Sequence, residues 1–197
     1  MLAYGLVRMS KIPEAFNPSS QSRVDTTSPH PLPPYPPTPA PLITRQDLEK
    51  HIDVLREQGW HFRQASGRCN KTGYTATWWE LRHSGRFSSF KRVMEYVNDV
   101  ADLAKAEKHH PTILIFDRVN VAISLDSHDT IERPATILNS PDSSTLVARW
   151  PGITLRDIRM ALRINPLFAR HNIVDRILPV DDRIPSYEEL TIVRVEK

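Results

Sequence analysis

The sequence predicts an α+β fold: a four-stranded antiparallel sheet with three helices packed on one face, in the order α-β-β-α-β-β-α. Helical and strand periodicities alternate in that order between residues 44 and 175. Consecutive strands are joined by local turns, as antiparallel neighbours are, rather than by the long crossovers that parallel strands need. The clearest helix has a single apolar stripe, which suits one face of a sheet.

Taken in order, Thr44 caps a first helix running to Gly59, with Leu48, Ile52 and Leu55 along one side. Trp60–Ala65 and Tyr74–His83 read as two strands joined across a turn rich in Gly, Asn and Lys. From Ser88 to Lys108, Phe90, Val93, Met94, Val97, Val100, Ala101 and Ala104 recur at steps of three and four and trace the stripe. Pro111 stops that helix and pushes the residue before it out of the helical region, which places His109 and His110 at its exit. Thr112–Phe116 and Val119–Asp126 follow as strands, the second alternating apolar and smaller or polar residues, with His128 just past its end. Thr154 and Asp157 have capping-box spacing and open a last helix, whose apolar positions end near Pro166.

Around this domain, residues 44–175, lie segments of another character. Eight of the thirteen residues from Pro29 to Pro41 are proline, which favours extended polyproline II, so residues 1–43 are expected to form a mostly disordered arm. Residues 130–150, with Pro134, Asn139, Pro141 and Asp142, read as an inserted loop. The tail, 176–197, holds two prolines and a possible last strand, Leu190–Val195.

Composition excludes several classes. The net charge is +3, from 26 basic and 23 acidic residues that are interleaved, so no nucleic-acid partner is expected. The block Arg82, Arg86, Lys91 and Arg92 reads either as a patch for an anionic ligand or, more commonly, as solvated positions around a helix start. A single cysteine, Cys69, excludes an intramolecular disulfide framework and a Cys-based zinc site. No window reaches the roughly 18 apolar residues of a membrane span, so no membrane partner is expected. The expected location is cytoplasmic, with the nucleus and, on the weak basic character of the N-terminus, a mitochondrion left open.

The chemistry concentrates between Lys105 and Asp129. Three imidazoles, His109, His110 and His128, can share one cleft, and an unperturbed imidazole can give or take a proton at physiological pH without help from a metal. Their bland alternative is that His109 and His110 complement the negative end of a helix dipole. A metal site built from His109, His110, His128 and Asp129 is disfavoured, because adjacent residues diverge at a helix end and no two histidines lie one helical turn apart.

These residues resemble the pterin-4a-carbinolamine dehydratases. The resemblance covers roughly Arg45–Phe168 and rests on Gly59-Trp60, the helix closing in His109-His110-Pro111, the Ser127-His128-Asp129 step, and Gly152-Ile153-Thr154 followed by Asp157. It implies the same element order, a homodimer or homotetramer, and dehydration of 4a-hydroxytetrahydropterin to quinonoid dihydropterin in tetrahydrobiopterin recycling, with no metal or organic cofactor. It further implies that His109 and His128 form the acid/base pair, that His110 mainly holds the pterin, and that Asp126, Ser127 and Asp157 help to bind it. Asp157 has a capping role as its bland alternative, and Asp126 and Ser127 would serve as strand-end turn formers. A non-catalytic dimerisation or co-regulator module on the same fold is the alternative function. The chain departs from the family in having Lys105 four residues before His109, Arg118 where an aromatic is expected, and 23 residues between His128 and Gly152.

Overall fold

A computed structural model of the chain describes residues 30–68, 73–128, 130–137, 145–177 and 183–196. Most of the expected arm, Cys69 and Asp129 lie outside these residues.

The elements begin where local chemistry dictates. Thr44 Oγ1 accepts from the Asp47 amide at 3.1 Å and opens α1 (Arg45–Glu57), after which Gly59 turns the chain at φ 89°. β1 (His61–Arg68) pairs antiparallel with β2 (Thr75–Arg86), Phe62 opposite Leu81. Ser89 caps α2 (Phe90–Glu107), and β3 (Thr112–Phe116) and β4 (Asn120–Leu125) form a hairpin. Phe116 pairs with Asn120, so Arg118 sits in the turn, where it and Asp117 take positive φ. β5 (Arg133–Ile137) and β6 (Thr145–Ala148) precede α3 (Leu155–Arg170), and β7 (Asp175–Arg176), α4 (Tyr187–Thr191) and β8 (Arg194–Glu196) complete the chain.

All eight strands join one sheet, so the expected four-stranded sheet is corrected to a larger one. Its central strand, β2, is long enough to pair on one edge with β4 and then β8, and on the other with β1 and then β7. β5 joins β8 in parallel and β6 continues antiparallel; the other pairings are antiparallel. The segment 130–150, expected as a loop, therefore contributes two strands among its described residues. The tail forms α4 and then β8, so the expected strand from Leu190 begins only at Arg194.

On one face of the sheet, α1, α2 and α3 bury Leu48, Leu55, Val93, Val100, Ile158 and Leu162 against Leu81, Val121, Ile123 and Leu125. A second cluster, Ala76, Ala135, Trp150, Val193 and Val195, forms where the added strands meet β2. By strand alternation, Ala76 points to the opposite face from Leu81.

The stripe on α2 is rotated from its expected place. Val93, Val100 and Ala104 are buried, whereas Phe90 and Met94 are exposed, at 54% and 37%, as is Ala101. Tyr96 and Glu107 take the inward positions. The Tyr96 ring lies 5.0 Å from Phe87 and 5.1 Å from Phe168, and Glu107 is met by Arg159 at 2.7 Å and Arg163 at 3.3 Å, so each inward group finds a partner on or near α3. α3 also runs through Pro166 to Arg170. A proline forfeits one helical bond, and burial of Leu167 beyond it favours continuing the helix.

Residues 30–43, expected as disordered, lie against the domain. Extended proline-rich backbone leaves its carbonyls free, and Arg159 Nη1 donates to Pro33 O at 2.9 Å. Tyr35 OH donates to Glu107 O at 2.8 Å, Ile43 N to Ile153 O at 2.9 Å, and Ala40 is buried. Among the described residues no helix is long and apolar enough to cross a membrane.

Candidate active site

The end of α2 and the end of β4 meet the start of α3. Lys108 adopts a left-handed conformation (φ 49°) after α2, and the His109 amide donates to Ala104 O at 3.1 Å, which turns His109 inward. β4 ends at Leu125, and Ser127 then exchanges two backbone bonds with Gly152, of 2.9 and 3.2 Å. Thr154, two residues on, caps α3.

Asp157 ties these ends together. Its carboxylate is fully buried. Oδ2 accepts from the Thr154 amide at 2.7 Å, the capping-box bond, and lies 3.0 Å from both Ser127 Oγ and Thr154 Oγ1. Those two hydroxyls are 2.7 Å from each other, so two protons serve three close contacts. Oδ1 meets His109 Nε2 at 2.7 Å. An ionised carboxylate only accepts hydrogen bonds, so Nε2 carries the proton and Nδ1 of a neutral His109 keeps its lone pair.

Asp126 is the second buried carboxylate of the site, 7% exposed, and its Oδ2 has no hydrogen-bond partner among the described residues. His128 Nδ1 stands 3.7 Å from that oxygen, beyond hydrogen-bond length, with its side chain 71% exposed. Burial pushes the Asp126 carboxyl up to about 6; the charges of Asp157 and Glu80 add to the rise, while His128 opposes it.

His109, His110, Asp126, Ser127 and His128 line one cleft of about 200 Å³ together with Lys108 and Arg156. Five of the six residues expected from sequence thus share a cavity wall. Asp157 does not line it and stands behind His109, so its reach to a ligand is through that imidazole. Lys108 and Arg156 were missed by sequence reasoning. Both are cations at helix ends, a position that gives no signal beyond solvation. Arg156 also donates to Tyr35 OH at 3.2 Å and to Thr38 Oγ1, which brings the 30–43 segment to the rim of the cleft.

The chain is similar in sequence to known proteins. The family profile described as Pterin 4 alpha carbinolamine dehydratase matches residues 41–133. A protein of Koribacter versatilis (strain Ellin345), named "Putative pterin-4-alpha-carbinolamine dehydratase", is 35% identical over 82 residues. The match takes in 41% of this chain, which spans 64% of that relative's length. A crystal structure of a transcriptional coactivator/pterin dehydratase from Brucella Melitensis is 19% identical, with 64% of this chain and 97% of that chain covered and a TM-score of 0.39.

Proposed function

We propose that the protein is a hydro-lyase that dehydrates 4a-hydroxytetrahydropterin to quinonoid dihydropterin and water, a reading supported by the match of residues 41–133 to the pterin 4 alpha carbinolamine dehydratase family profile and by the 35% identical relative. The observation that carries the reading is the 2.7 Å bond from His109 to the buried Asp157, at a cleft that His110 and His128 also line.

Losing water from C4a requires a proton delivered to the departing hydroxyl and a proton removed from N5, so that a C4a=N5 double bond forms. In this proposal His109 is the base: Asp157 holds its Nε2 proton, and Nδ1 takes the proton from N5. His128, beside Asp126 and open to solvent, gives its proton to the hydroxyl. Afterwards His109 has gained a proton and His128 has lost one, and exchange with solvent resets both. His110 orients the ring, and Ser127 and Asp126 supply polar contacts at the end of β4. Assembly as a homodimer or homotetramer belongs to the same proposal, and the exposed Phe90 and Met94 on α2 offer apolar surface for it.

Stopped-flow decay of 4a-hydroxytetrahydropterin tests the reading. Wild-type protein is expected to accelerate the decay, and the His109→Ala, His128→Ala double variant to return it to the uncatalysed rate. Each positioned proton transfer is worth roughly 10²- to 10⁴-fold. Equal rates for the two proteins would sink the proposal.

A further inference from the structure

A cleft of about 590 Å³, larger than the histidine cleft, lies on the sheet beside Arg82 and Ser84 of β2. β1 starts opposite Arg82, and β7 pairs with β2 at Gly85 and Arg86, with Ile177 N donating to Ser84 O at 3.0 Å. Phe62, Trp79, Phe116 and Ile177 form apolar walls, and Arg63 and Arg82 bring positive charge.

Arg82 resolves the basic block that the sequence left open, because its side chain is only 16% exposed and so is not a solvated surface group. Its Nη1 lies 3.7 Å from Glu80 Oε1, beyond hydrogen-bond length, and Arg63 Nη1 lies 3.7 Å from the same oxygen. That oxygen already accepts from Ser124 Oγ at 2.8 Å. Among the described residues, two guanidiniums therefore share one carboxylate, which leaves a positive charge at the cleft. Burial, and then the like charge of Arg63, lower the Arg82 pKa, while Glu80 opposes them. Arg183, also on the wall, is matched by Glu189 at 3.0 Å and lies over the Trp79 ring at 5.8 Å.

We propose that this cleft is a second ligand site, separate from the histidine cleft, for a small organic anion. Its carboxylate or phosphate pairs with Arg82 and Arg63, and its flat apolar body rests against Phe116, which strand alternation places on their face of the sheet. The volume is within the usual range of small-molecule sites, and a guanidinium fork suits either anionic group.

Isothermal titration of the full chain with phenyl phosphate, benzoate, inorganic phosphate and benzyl alcohol tests this. Saturable binding of phenyl phosphate or benzoate is expected, the stronger of the two identifying the anionic group, with inorganic phosphate weaker and benzyl alcohol silent. Arg82→Gln is expected to weaken binding at least about tenfold. Arg63→Gln, at a side chain 55% exposed, carries the same test should Arg82→Gln fail to fold. His109→Ala is expected to leave the isotherm unchanged. Absence of binding by both aromatic anions, equal binding of the alcohol, indifference to both arginine substitutions, or loss of binding in His109→Ala would each overturn the proposal.

Discussion

At Asp157 one carboxylate serves two elements at once. Oδ2 closes the capping box of α3, and Oδ1 orients His109. An Asp157→Asn variant separates these roles, because an amide cannot accept on both sides. If its oxygen stays with the Thr154 amide, its NH₂ group faces the Nε2 proton of His109, and the ring must change tautomer or break away. Turnover is expected to fall about 10²-fold, alongside a stability loss of about 1–2 kcal/mol from the disturbed cap. Stopped-flow kinetics and urea denaturation read the two separately, and full turnover would mean that Asp157 does not set the His109 tautomer. His109 and His110 were legible because Pro111 follows them, and the capping spacing of Thr154 and Asp157 was legible because it is local. The bond between His109 and Asp157 was not, since it spans 48 residues and depends on α2 and α3 packing together.

Elements whose signals are local sit where periodicity and caps put them, as α1 and the α2 boundaries illustrate. The inward face of α2 was misread because Phe90 and Met94 fit the spacing as well as Tyr96 does, and only α3, with Phe168, decides between them. β8 was harder still: it has three residues and is a strand because β2 is long enough to offer it an edge. The exit of α1 illustrates how one position joins several elements. Gly59 has φ 89°, and a Cβ there would lie 3.2 Å from both His83 Nε2 and Arg176 Cδ. Gly59→Ala is therefore expected to cost about 1–3 kcal/mol, from backbone strain and the shift forced on His83. Urea denaturation checks it, and a change within about 0.5 kcal/mol, the usual range for surface substitutions, would mean that the turn relaxes freely.

Across the whole molecule, two buried titratable groups work against each other as pH changes. His83 is 1% exposed, donates from Nε2 to Gln58 O at 3.1 Å, and stacks on Phe168 with ring centroids 3.7 Å apart. Burial pushes its pKa down to about 3; the Gln58 hydrogen bond opposes this, while the charges of Arg176 and His61 add to it. Unfolded, the same ring titrates near 6.5, so between those values the unfolded chain holds one more proton. Stability then falls as pH falls, by about 1.4 kcal/mol per unit. Asp126 acts in the opposite sense. Its folded carboxyl titrates at about 6 against an ordinary 3.8, so between those values the folded chain holds the extra proton and stability rises as pH falls. Over the shared window, roughly pH 4 to 6, the two slopes cancel. Removing either group should expose the other. Relative to wild type, Asp126→Asn is expected to gain stability as pH rises through that window, reaching about 2–3 kcal/mol above pH 6. His83→Phe is expected to show the reverse trend, gaining relative to wild type as pH falls. The pKa of His51 is also lowered, by burial and then by the charges of His30 and Lys50, with Asp47 opposing, but this ring is present in all three proteins and drops out of the differences. Urea denaturation of the three proteins at several pH values from 4 to 7 measures the slopes. Parallel profiles for all three would mean that neither burial shifts a proton between the folded and unfolded chains.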